Sequence, residues 1–145
     1  MIIQELVNFF EKIAPVSFQE SYDNAGLITG SPMTEITGVL TCLDAIETVV
    51  DEAIQLNCNV IVAHHPIVFR GLKKINGANY VERVLIKAIK NDIAIFAIHT
   101  NLDNVFYHGV NKIISNRLNL NNLEILDAKQ GIFHENQKVG SGMIG

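Results

Sequence analysis

Two short runs, Val60–Ala63 and Ile93–Ile98, are apolar at every position. A strand with one face in water alternates apolar and polar residues, so a strand without alternation has both faces covered. Helical patterns lie between and after these runs. Tyr80–Asn91 is amphipathic, and Ile46, Val49, Val50, Ala53 and Ile54 share one face of a helix from Asp44, as its cap, to about Leu56. The β-branched stretch Ile36–Leu43 reads as a further strand. Strand, helix, strand, helix, strand at this spacing predicts βαβ units. The expected fold class is α/β, with a mostly parallel sheet and helices on both faces.

The flanks complete the pattern. Apolar residues at Ile2, Ile3, Leu6, Val7, Phe9, Phe10 and Ile13 have helical spacing, ended by Pro15. The stretch Pro15–Ser31 carries turn signals and reads as a long loop. A helix is expected over about His108–Leu118 and a short strand over Leu120–Leu126. Residues Val139–Gly145 read as a turn entering an apolar strand. At 145 residues the chain is expected to form a single α/β domain, and an end on a strand that has just begun reads as the N-terminal part of a longer protein.

Composition excludes several functions. The formal net charge of −4 offers phosphates no overall attraction, so no nucleic-acid partner is expected. The apolar runs are far too short to span a bilayer, and the start shows no basic stretch followed by an apolar block. Cys42 and Cys58 are too few for a disulfide framework and read as packed, reduced thiols of a cytoplasmic protein. No glycine-rich Lys-Ser or Lys-Thr loop and no Gly-x-Ser-x-Gly elbow occurs.

The chemistry gathers where the two apolar strands end. Val60–Ala63 runs into His64-His65-Pro66, and Ile93–Ile98 runs into His99-Thr100-Asn101-Leu102-Asp103. In open α/β sheets, ligands bind at the carboxyl ends of the parallel strands. A His-His pair by itself is more often solvated or packed, but two such strand ends at one edge favour a metal site. Neighbouring side chains of a strand diverge, so His64 and His65 suit two ions side by side, with Asp103 as a bridging carboxylate. His99 is within reach as a ligand, a second hydrogen-bonding layer or a substrate contact. Imidazole with carboxylate suits divalent Zn, Mn, Fe, Co or Ni without selecting among them. His108 and His134 read as surface residues, and Cys42 as a weak alternative nucleophile.

Taken together, Tyr22-Asp23-Asn24-Ala25-Gly26-Leu27, Thr41-Cys42-Leu43-Asp44-Ala45, Ile61-Val62-Ala63-His64-His65-Pro66, His99-Thr100-Asn101-Leu102-Asp103, Gly109-Val110-Asn111 and Gly140-Ser141-Gly142-Met143-Ile144-Gly145 form a recognisable series. In this order they resemble the Nif-three-like family of dinuclear-metal-centre proteins, labelled type-two GTP cyclohydrolase I homologues. The resemblance implies two metal ions per complete site, His64, His65 and Asp103 as metal ligands, and a ring-shaped homo-hexamer. With the residue reading, it implies a metal-dependent hydrolase acting on a nucleotide or related small molecule, with His99 catalytic as proton shuttle or phosphate contact. The alternatives are a non-catalytic metal-binding regulatory or assembly protein, and an α/β fragment with vestigial ligands. The family also supplies a C-terminal His-x-x-x-Glu pair to the metals; this chain has none, since Glu135 directly follows His134.

Overall fold

A computed structural model describes all residues, Met1–Gly145. In chain order the elements are α1 (Ile3–Ile13), a 3-10 turn (Val16–Phe18), β1 (Gly26–Thr29), β2 (Val39–Asp44), α2 (Glu47–Gln55) and β3 (Val60–His65). They continue with α3 (Tyr80–Lys90), β4 (Ala94–Ala97), α4 (Thr100–Asp103), α5 (Val110–Arg117), β5 (Glu124–His134) and β6 (Gln137–Ile144). The chain divides into two compact units. One is Met1–Phe9 with Asn24–His99, and the other is Phe10–Asp23 with Thr100–Gly145.

The first unit holds a four-stranded sheet in the order β1-β4-β3-β2. Strands β2, β3 and β4 are parallel, and β1 joins β4 antiparallel, so the sheet is mostly parallel as expected. Sequential parallel strands need crossovers, and α2 and α3 supply them. One core contains Ile61, Ala63 and Ile95 from the sheet with Val50 and Ala53 from α2 and Val84, Leu85 and Ala88 from α3. On the opposite face Val60, Val62 and Phe96 are also buried, which accounts for the missing alternation.

Asn79 caps α3 by accepting from the Glu82 backbone N–H at 3.0 Å. The Glu82 carboxylate reaches back to the N–H of Ala78 at 2.9 Å, a capping box shifted one residue outward. Two expectations needed revision here. Residues 26–29 form a strand, although four residues with a bulge against β4 give almost no period to read. Helix α2 starts at Glu47 with no side-chain cap, so Asp44 is not its cap. Asp44 instead ends β2, and its carboxylate is used elsewhere.

In the second unit β5 and β6 form a hairpin much longer than the short strand expected near Leu120–Leu126. Its two-residue turn, Glu135-Asn136, has positive φ at both positions (50° and 62°), the type I′ geometry that suits the strand twist. Gly140 is required there, because a Cβ would lie 2.0 Å from the Asp127 carbonyl oxygen. A polar cluster ties the rest together. Asn104 is 1% exposed, and its Nδ2 donates to the Phe18 carbonyl (2.8 Å) and to Glu20 Oε1 (2.7 Å). Thr100 donates through both its backbone N–H and its hydroxyl to the Asp23 carboxylate. Lys129 pairs with Glu20 at 2.9 Å.

Candidate metal centre

The sheet register builds the centre. Cys42 pairs with Ala63 and Asp44 with His65 across β2 and β3, while Ala63 pairs with Ala97 across β3 and β4. Parallel strands in that register bring Asp44, His64-His65 and the residues following Ala97 to one level at one sheet edge. The Ile98 backbone continues the pairing, its N–H donating to the Ala63 carbonyl at 2.9 Å.

The three imidazoles converge there. Ring centroids lie 5.0 Å apart for His64 and His65, 5.2 Å for His64 and His99, and 5.5 Å for His65 and His99. One ligand-type atom from each lies within 4.8 Å of the other two. Two imidazoles on one tetrahedral zinc, at about 2.0–2.1 Å each, stand about 3.3–3.4 Å apart. A modest side-chain movement would therefore close the group on an ion.

Two of the rings have their tautomer set by a neighbour. His64 Nδ1 is 2.9 Å from the Ile98 carbonyl, which only accepts, so Nδ1 carries the hydrogen and Nε2 the lone pair. His65 Nδ1 lies 2.8 Å from Asp44 Oδ1, with the same result. A ring held through one nitrogen by a carbonyl or carboxylate, with the other able to ligate, is the usual arrangement around protein-bound metals. The donors thus fit a divalent cation by chemistry and by tautomer. Asp44 is the residue the sequence reading misassigned. Its sequence signals were its place at the end of a strand and in the segment Thr41-Cys42-Leu43-Asp44-Ala45.

His99 joins the ring cluster and also lines a cavity of about 510 Å³ with Asp44, His65, Ile67, Phe69 and Tyr80. Asp103 belongs to the second unit, where it closes α4 and is half-buried, with its carbonyl accepting from Asn111 Nδ2 at 3.0 Å. His108 is exposed, and His134 sits edge-on to Phe18 with ring centroids 5.4 Å apart. Cys42 shows no thiolate activation. Burial, reinforced by the negative charge of Asp44, pushes its thiol up to about 11, so it stays protonated at neutral pH. Both cysteines are free.

Comparison with known proteins places the chain in a family. A family model described as Duf34/NIF3 (NGG1p interacting factor 3) matches residues 1–145. The chain belongs to the DUF34/NIF3 family. Among curated relatives, the "GTP cyclohydrolase 1 type 2 homolog" of Staphylococcus epidermidis is 39% identical over 137 residues, covering 94% of this chain and 37% of its own length. Proteins of that name from Staphylococcus aureus match equally well. The chain therefore spans a little over a third of the length of these relatives. Solved NIF3-type structures agree in fold. A Bacillus cereus protein related to NIF3 has a TM-score of 0.82 at 41% identity, over 89% of this chain and 35% of that one. A hypothetical protein of Staphylococcus aureus has 0.81 at 40% identity, over 89% and 42%. Reduced HcgD from Methanocaldococcus jannaschii has 0.79 at 28% identity, over 86% and 50%. No helix of this DUF34/NIF3 member is long and apolar enough to cross a membrane.

Proposed function

We propose that this chain binds divalent metal through His64, His65 and Asp103 and supports metal-dependent hydrolysis of a nucleotide or related small molecule. The observation that carries the reading is the convergence of His64, His65 and His99 beside a cavity of ligand size. The names of the curated relatives, GTP cyclohydrolase 1 type 2 homologues, support the substrate class. Asp103 adds the carboxylate, and zinc, manganese, iron, cobalt or nickel suits the set. A bound ion would supply Lewis acidity.

The remaining chemistry belongs to the chain. Asp44 and the Ile98 carbonyl hold the His65 and His64 rings in their ligating tautomers. His99 takes the proton from the attacking water and returns it to the leaving group. Ile67, Phe69 and Tyr80 give a flat ring an apolar wall. Three ligands for two ions leave both short of the usual four. The chain alone should therefore hold one ion, or two weakly, and a homo-hexamer in the cytoplasm is the assembly proposed for the complete protein. Isothermal titration with zinc or manganese tests this, and two tight sites per chain would overturn it.

One observation favours the second reading, a non-catalytic metal-binding protein of regulation or assembly. Asp44 is the only carboxylate lining the cavity, and it is engaged by His65, so no acid there is placed as a general base. A nucleotide panel with added metal separates the two, comparing the parent with His64→Ala. The hydrolase reading expects turnover that disappears in the variant. Turnover that survives the substitution sinks it, and metal binding without turnover selects the regulatory role.

A further inference from the structure

We infer that the loop between β3 and α3 is an anion-binding arm, on which Arg70, Lys73 and Lys74 hold the phosphate of the cavity's ligand. This rests on the reading that the cavity takes a nucleotide-like molecule, and it names the part of the chain that selects it.

The arm is a built feature. Residues 66–79 contain no helix or strand, yet both ends are anchored. Asn24 Nδ2 donates to the Val68 carbonyl at 2.7 Å. At the other end Glu82, 6% exposed, accepts from the backbone N–H groups of Asn76 (3.1 Å) and Ala78 (2.9 Å) and from Asn79 Nδ2 (2.8 Å). The cations lie between these anchors.

Charge distinguishes the arm from the rest of the chain. The whole sequence has 15 acidic and 11 basic residues, yet no Asp or Glu occurs between Glu52 and Glu82. Glu82 directs its carboxylate to the loop's own backbone and makes no ion pair with the three cations. Arg83 and Lys87, on the neighbouring helix, are paired with Glu47 and Asp51. Arg70, Lys73 and Lys74 are exposed and carry no ion pair, which gathers three unpaired positive charges on one loop of an acidic protein.

Arg70 brings this charge beside the candidate centre. Arg70 lines a second depression of about 260 Å³, and Pro66, Ile67, Phe69 and Tyr80 line both it and the histidine cavity. Phe69 and Tyr80 are 46% and 55% exposed and line the cavity. A molecule with a flat ring against these aromatics would direct its reactive end to His65 and His99. Its phosphate would meet Arg70, whose planar fork matches phosphate oxygens, with the two lysines adding point charges.

The test uses protein stripped of metal with a chelator, so that binding is read without catalysis. Titrations with GTP, pyrophosphate and guanosine should show GTP binding at least tenfold tighter than guanosine and weakening as salt rises. Arg70→Ala, and Lys73→Ala with Lys74→Ala, should each weaken GTP about tenfold while leaving guanosine unchanged. Lys90→Ala, at the far end of α3, should change nothing, which excludes an effect of net charge alone. Turnover is read separately in the metal-loaded parent, so its absence would count against the hydrolase reading and not against the arm. Guanosine binding as tightly as GTP, parental GTP affinity in the triple variant, or indifference to both GTP and pyrophosphate would each overturn the inference. So would a single-stranded oligonucleotide binding more tightly than GTP.

Discussion

The two units each contain a polar cluster, and the clusters use their atoms differently. In the second unit, Asp23, Thr100, Asn104, Glu20 and Lys129 bond one another and the backbone of the Phe18–Glu20 turn. Their hydrogen bonds replace secondary structure, since the segment between the 3-10 turn and β1 has no ladder of its own. In the first unit, His64 and His65 each commit one nitrogen to the protein, and their rings gather with that of His99. The first pattern is what stability requires of buried polar groups, and the second is what a ligand requires. Changes in the second-unit cluster should therefore cost folding, and changes in the first should cost binding.

The sharpest break is expected at His64. His64→Ala should lower zinc affinity by more than about a hundredfold, with a stability loss near 1 kcal/mol for the lost hydrogen bond to the Ile98 carbonyl. Titration and chemical denaturation of the same preparation check both halves. Next comes Asn104→Ala, which leaves the buried Phe18 carbonyl without this donor and Glu20 with Lys129 alone. A loss of about 2–3 kcal/mol in urea is expected, with zinc binding unchanged, because buried acceptors left unpaired carry most of the cost. If metal affinity fell in parallel, the division between scaffold and site would fail.

Asp44→Asn should have a smaller effect, confined to metal. Loss of the carboxylate that orients His65 should weaken zinc about tenfold. Stability should hardly move, since the pair is exposed on both sides and such pairs contribute about 0–1 kcal/mol. The smallest change is expected at Glu20. Hydrogen bonds from Lys129 and Asn104 hold its carboxyl below the ordinary 4.5. A depressed carboxylate stabilises the fold above its unfolded value, and that contribution disappears as pH falls through the folded value. Glu20→Gln should remove about 0.5–1 kcal/mol near neutral pH and flatten the stability profile below about pH 4.5. A parent and variant that lose stability in parallel on acidification would argue against the pairing.

Much of the fold was legible because it rests on local period. Apolar residues at helical spacing placed α1, α2, α3 and α5 within a few residues of their ends, and unbroken apolar runs placed β3 and β4. The adjacency of β3 and β4 followed from the short βαβ crossover. Strand β1 escaped because its pairing with β4 lies some seventy residues away in sequence and is bulged. The β5–β6 hairpin was truncated in the reading because its middle, Asp127–Gln130, is polar and carries no strand-like apolar signal.

The centre divides in the same way. That His64, His65 and His99 meet was determined by sequence alone, since each follows directly from an apolar strand and parallel strands end at one edge. Only the tertiary structure decided how the rings are held. The Asp44–His65 contact depends on register across β2 and β3, and the His64 bond to Ile98 on the carbonyl of a third strand. The charge of the Arg70–Lys74 arm was likewise written in the sequence, but its lack of compensation was not. Whether a cation is paired depends on which carboxylates the fold brings near it, and here Glu82 is turned to the backbone. Periodicity records what a residue buries, whereas long-range register decides which polar atoms find each other.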